Sequence, residues 1–111
     1  MGYPMAGHLS KNNDIDLYIF NRTNSVSVKW SNQFKGLKFK LTDTSNIKFD
    51  GLITCLKDDE AIIKVLITNK LIKLLKKNSF IIDHSSTSIE LINTISSHNY
   101  ITKNKISFFD A

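Results

Sequence analysis

The sequence predicts an α/β fold, a parallel sheet with helices on both faces, and three observations predict it. Apolar runs of strand length, among them Leu17-Tyr18-Ile19-Phe20, Leu52-Ile53-Thr54-Cys55-Leu56 and Phe80-Ile81-Ile82, alternate with stretches whose apolar residues recur at helical spacing. Such near-continuous apolar runs mark strands covered on both faces. Polar residues follow them, Asn21-Arg22-Thr23 in one case and His84-Ser85-Ser86 in another, at the carboxyl edge where open α/β sheets place their ligands. Alternation of this kind makes a parallel sheet with right-handed crossovers.

The chain opens with Met1-Gly2-Tyr3-Pro4-Met5-Ala6-Gly7-His8-Leu9, which reads as a helix with Pro4 in its first turn, where a missing N–H costs nothing. Asn12 and Asn13 stop it. After the strand Leu17–Phe20, a helix near Ser25–Phe34 sets Val26, Trp30 and Phe34 on one face. Gly36 ends that helix, and Phe39–Leu41 reads as a short strand. Asp43-Thr44-Ser45 offers caps for one or two helical turns through Phe49, which Gly51 breaks. The strand Leu52–Leu56 leads to the longest helical region. Asp58-Asp59-Glu60 stand at its positive end and Lys76-Lys77 at its negative end, with a break at Thr68–Asn69. Its inward stripe is Ile62, Ile63, Leu66, Ile67, Leu71, Leu74 and Leu75. Asn78-Ser79 turns into the strand Phe80–Asp83; a capped helix over Ile89–His98 follows, and Lys105–Phe109 is the last strand.

At 111 residues and 41% hydrophobic content, the chain is one domain at most with a modest core. No apolar run reaches membrane-spanning length, no signal peptide is visible, and the lone Cys55 excludes a disulfide framework. A cytoplasmic setting is expected. The net charge of +5 is nearly all lysine spread from Lys11 to Lys105, alongside an excess of Ile and Asn. AT-rich coding produces that trio, and no aromatic-interleaved basic stripe accompanies it, so neither nucleic acid nor membrane is expected as a partner. The three histidines show no metal-ligand spacing with Cys55. Asp58, Asp59 and Glu60 read as capping and dipole charges, and no nucleophile-elbow glycines surround His84, Ser85 and Ser86.

Met1-Gly2-Tyr3-Pro4-Met5-Ala6 resembles the second half of the Gly-Leu-Gly-x-Met-Gly-x-Pro-Met-Ala signature of the β-hydroxyacid dehydrogenases. That group comprises 3-hydroxyisobutyrate dehydrogenase and the tartronate semialdehyde and glyoxylate reductases, and is related to 6-phosphogluconate dehydrogenase. Further matches follow in order along the whole chain. Phe20-Asn21-Arg22-Thr23 resembles the end of the family's second strand, and Leu52–Leu56 with Asp58-Asp59-Glu60 its fourth strand and following turn. Ile82-Asp83-His84-Ser85-Ser86 resembles the Asp-x-Ser-Thr loop, and Phe108-Phe109-Asp110-Ala111 the start of Asp-Ala-Pro-Val-Ser-Gly-Gly.

The resemblance implies a Rossmann-like sheet lacking its first strand, and an oxidoreductase that moves a hydride between a nicotinamide dinucleotide and a small β-hydroxyacid or semialdehyde. Gly2 would be the third glycine of the phosphate turn, and the N–H groups of Met1 and Gly2 would face the pyrophosphate. Asn21, Arg22 and Thr23 would meet the adenosine ribose. An acid there would bond a 2′-hydroxyl, whereas Arg22, the only arginine in the chain, favours a 2′-phosphate, so NADP is expected over NAD. Leu56 would lie beside the cofactor and Ser86 would approach the nicotinamide ribose. The sequence departs from the family at Lys57 and Ile89, which replace prolines, and at Ser86, which replaces threonine while keeping a hydroxyl.

On this reading residues 1–111 are a partial NAD(P)-binding domain. The family's first strand and first two glycines would precede Met1; the substrate motif, the catalytic lysine and the helical substrate domain, with the contacts of a homo-oligomer, would follow Ala111. No catalytic residue is then expected within the chain, which should act only as part of a longer enzyme. In a 3-2-1-4-5-6 sheet the missing strand is central, so the Leu17–Phe20 pair should separate from the Leu52–Leu56 group, and the isolated chain should be unstable. The alternatives are a non-catalytic nucleotide-binding or interaction module and, behind it, a basic nucleic-acid-binding domain.

Overall fold

The computed structural model describes residues 2–21, 23–38, 48–85 and 88–110. The chain divides into two compact units, Met1–Thr44 and Ser45–Ala111. Its described strands form two parallel ladders, one of two strands and one of three.

In the first unit, helix α1 covers Gly2–Ser10, strand β1 Tyr18–Ile19, helix α2 Asn24–Gln33 and strand β2 Leu37–Lys38. The two strands pair in parallel, Tyr18 with Leu37 and Ile19 with Lys38. The core is aromatic. Trp30 is 2% exposed, its indole N–H donates to the Tyr3 carbonyl at 3.2 Å, and its ring centroid lies 5.4 Å from that of Phe34. The Phe34 ring lies on Gly7, where an added Cβ would come within 2.6 Å of it, so a glycine inside α1 is exchanged for close aromatic packing.

Two expectations change in this unit. Leu17–Phe20 is not covered on both faces: Tyr18 and Ile19 are half-buried and Phe20 is 39% exposed. The partner strand begins earlier than Phe39, at Leu37, because the Leu37 N–H already donates to the Leu17 carbonyl at 2.9 Å. Phe39–Leu41 and the caps Asp43-Thr44-Ser45 lie outside the described residues.

In the second unit, strand β3 covers Phe49–Thr54, helix α3 Asp59–Ile63, strand β4 Leu75–Asp83, helix α4 Ile89–Ser96, helix α5 Asn99–Lys103 and strand β5 Ser107–Asp110. The sheet order is β3-β4-β5. Ile81 of the central strand, fully buried, stands in register between Leu52 and Phe108. Around it the core gathers Ile62, Leu66, Ile72, Leu91, Ile95 and Ile101.

Here too the boundaries move for physical reasons. Phe49 and Gly51 belong to β3 instead of a short helix and its break; Gly51 leaves room for the Phe80 ring opposite it. The long helix is a composite. Asp58 caps α3 through Ala61 N–H at 2.9 Å, and the chain then widens into a π-helical turn over Lys64–Thr68. A turn at Asn69 and Lys70, the latter left-handed at φ 61°, leads to a 3₁₀ turn over Leu71–Leu74. Lys76 and Lys77 therefore lie on β4 and not at a helix end. The Asn78-Ser79 turn survives as an irregularity inside β4: Asn78 has φ 65°, and the pairing jumps from Phe49–Leu75 to Gly51–Phe80. The last helical stretch is two helices, because His98 caps a new one through its ring Nδ1, which accepts from Tyr100 N–H at 3.2 Å.

Candidate cofactor site

In the first unit the carboxyl end of β1 carries the residues expected to meet the adenosine ribose. Asn21 and Thr23 are both exposed. The Asn21 Oδ1 accepts from the Thr23 backbone N–H at 2.8 Å, an Asx turn, and Thr23 then becomes the N-cap position of α2. Its hydroxyl makes no capping bond. Gly2 opens α1, whose nine-residue length gives its amino end free N–H groups and positive dipole character. Met1 and Arg22 lie outside the described residues. A cavity of about 550 Å³ in this unit is lined by Asn12, Asp16, Lys35 and Leu37 among others; these residues lie before β1 or at the start of β2, at the edge away from Asn21 and Thr23.

In the second unit the loops after β3 and β4 are tied together. Asp83, fully buried, accepts at Oδ1 from the Thr54 hydroxyl at 2.7 Å and from the Ser85 N–H at 3.0 Å. Its Oδ2 is buried and has no hydrogen-bond partner among the described residues. The His84 N–H donates to the Thr54 carbonyl at 2.8 Å. Ser85, also buried, accepts at Oγ from the Leu56 N–H at 2.7 Å. Beyond them, Asp59 in the first turn of α3 accepts from the Ser88 N–H at 3.1 Å and from its hydroxyl at 2.5 Å. Ser88 in turn caps α4 through Leu91 N–H at 3.1 Å.

Of the cofactor residues expected in this unit, Leu56 is half-buried in the loop just past β3, and Ser86 lies outside the described residues. Thr54, Asp59 and Ser88 were not expected as site-building residues, whereas Asp83 and Ser85 fall in the loop matched to Asp-x-Ser-Thr. One signal does stand in the sequence: Thr54 and Asp83 continue the inward period of Leu52 and Ile81 by two residues, so a polar pair was due on a buried face. Among the described residues no three His, Cys, Asp or Glu side chains are grouped to hold a metal ion. None of their helices is long and apolar enough to cross a membrane.

The first unit offers helix-end N–H groups and an acid-free polar sequence after β1, and the second a hydrogen-bonded set of described residues after β3 and β4.

The family described as the NAD binding domain of 6-phosphogluconate dehydrogenase matches residues 1–111. An uncharacterized oxidoreductase of Shewanella frigidimarina (strain NCIMB 400) is 29% identical over 112 residues, which is the whole of this chain and 38% of that protein. The solved structure of Mycobacterium tuberculosis 3-hydroxyisobutyrate dehydrogenase with L-serine superposes with a TM-score of 0.80 at 17% identity, over 100% of this chain and 36% of that one. A 3-hydroxyisobutyrate dehydrogenase from Salmonella typhimurium gives 0.69 at 12% identity, over 93% of this chain and 35% of its own. At these identities the structures speak to the fold alone. The chain spans less than two-fifths of the length of each of these relatives.

Proposed function

The chain belongs to the family of the NAD binding domain of 6-phosphogluconate dehydrogenase, and on that premise we propose that it is the partial Rossmann domain of an NADP-dependent β-hydroxyacid dehydrogenase, with the substrate-binding helical domain outside these residues. Bound there, the nicotinamide ring supplies hydride transfer to or from a small β-hydroxyacid or semialdehyde. The residues of this chain bind and orient. Met1 and Gly2 direct backbone N–H groups of α1 at the pyrophosphate, Asn21, Arg22 and Thr23 take the adenosine ribose, and Leu56 and Ser86 serve the nicotinamide half. The observation that carries the reading is the family match over the full chain, supported by polar, acid-free residues at the end of β1.

Preference for NADP rests on chemistry at that strand end. A guanidinium forms paired charge-assisted bonds with a 2′-phosphate, and no carboxylate stands at positions 21–23 to repel it. The test is a titration of the chain with NADP⁺ and with NAD⁺, repeated on Arg22→Ala. The unaltered chain should bind NADP⁺ about tenfold or more tighter, and the variant should lose that advantage, a difference of about 1.4 kcal/mol. Equal affinity for the two dinucleotides in the unaltered chain would refute the NADP assignment. Binding of neither, by this chain and by a longer one that carries the preceding glycine turn, would refute the dinucleotide reading and favour a non-catalytic interaction module.

A further inference from the structure

Asp59 has no work to do as a helix cap. Asp58 already bonds Ala61 N–H at the start of α3, yet both oxygens of Asp59 are turned onto one residue of the next crossover, Ser88, at its N–H and its hydroxyl. Ser88 is itself the N-cap of α4. A single carboxylate thus sets the distance between two helix starts at the carboxyl edge of the three-stranded sheet. At the near end of the same loop, Ser85 is fixed by its Oγ to Leu56 and by its N–H to Asp83. In sequence, Ser85 and Ser88 bracket Ser86.

We propose that Asp59 and Ser85 are positioning residues for the nicotinamide half of the dinucleotide, fixing the loop after β4 against the loop after β3 at its two ends. The inference rests on the dinucleotide reading above and deepens it. Its competitor is a plain electrostatic role for Asp59 beside the helix amino end. The two differ in what the Asp59→Asn substitution does: the amide could still accept from the Ser88 N–H and donate to the Ser88 hydroxyl, but it carries no charge.

Saturation-transfer NMR of NADP⁺ over the full chain reads the nicotinamide and adenine protons separately. Asp59→Ala should lower nicotinamide saturation relative to adenine by about fivefold, one net hydrogen bond expressed as an equilibrium ratio. Asp59→Asn should restore the ratio to within about twofold, since an amide keeps both hydrogen bonds. Ser85→Ala, which leaves Asp59 and the α4 cap untouched, should reproduce the loss and serves should Asp59→Ala fail to fold. An unchanged ratio in the alanine variants, or an equal fall at both ends of the ligand, would overturn the proposal. So would an Asp59→Asn variant that behaves like Asp59→Ala. No saturation at either end, with this chain and with one that carries the preceding glycine turn, would overturn the dinucleotide reading itself, and this inference with it.

Discussion

Replacing Thr54 by valine tests the polar junction of β3 and β4 with least change of shape. Thr54 is 5% exposed and its hydroxyl donates at 2.7 Å to Asp83, which has no exposed surface. Valine removes the donor and leaves Asp83, among the described residues, with one hydrogen bond, from the Ser85 N–H, and none at Oδ2. A hydrogen bond to a carboxylate contributes about 1.5–3 kcal/mol net. The extra buried methyl group returns about 0.8 kcal/mol. The expected loss is therefore about 1–2 kcal/mol, equivalent to a fall in Tm of roughly 5–15 °C for a unit of this size. Thermal unfolding followed by far-UV circular dichroism measures the loss. Native-state amide exchange locates it: the Ser85 and Leu56 amides should exchange about 5–30-fold faster. A variant within about 0.5 kcal/mol of the parent, the ordinary scatter of a neutral substitution, would refute the claim that this bond holds the junction.

Two further substitutions probe the units separately. Gly7→Ala should gain about 1 kcal/mol of helix propensity yet lose about 1–3 kcal/mol to overpacking against Phe34. Because the single tryptophan, Trp30, packs on Phe34, its fluorescence should report a lowered unfolding midpoint, and a rise in that midpoint would show that the ring moves aside freely. Ile81→Ala empties a fully buried site at the centre of the three-stranded sheet and should cost about 3 kcal/mol. Urea titration should then show an early or absent cooperative transition; a midpoint near the parent's would mean the site collapses around the smaller side chain.

Much of this protein was legible before any coordinates. Alternating strand-length apolar runs and helical stretches led to a parallel α/β fold, and α1 and α2 begin and end within a residue or two of where Pro4, Asn12 and the Val26–Trp30–Phe34 spacing place them. The ordered run of motifs from Met1 to Ala111 pointed to the family that matches the same residues. The described strands fall into two sheets, β1–β2 and β3-β4-β5. Local chemistry suffices for these features because periodicity, caps and turns act over a few residues.

What the sequence could not show is register. Thr54 pairs with Asp83 in the ladder, an offset of 29 residues, and every side-chain link between the two loops repeats it: Thr54 to Asp83, Leu56 to Ser85 and Asp59 to Ser88. Sliding an apolar strand by two residues keeps the same side chains on the same face, so Leu52–Leu56 and Phe80–Ile82 by themselves allow several offsets. The same ambiguity hid the start of β4, since Leu71, Leu74 and Leu75 fit a helical stripe as well as they fit a 3₁₀ turn running into a strand. Tertiary packing chose one offset by burying Ile81 between Leu52 and Phe108, and that choice alone made Asp59 and Asp83 partners of residues 29 positions away.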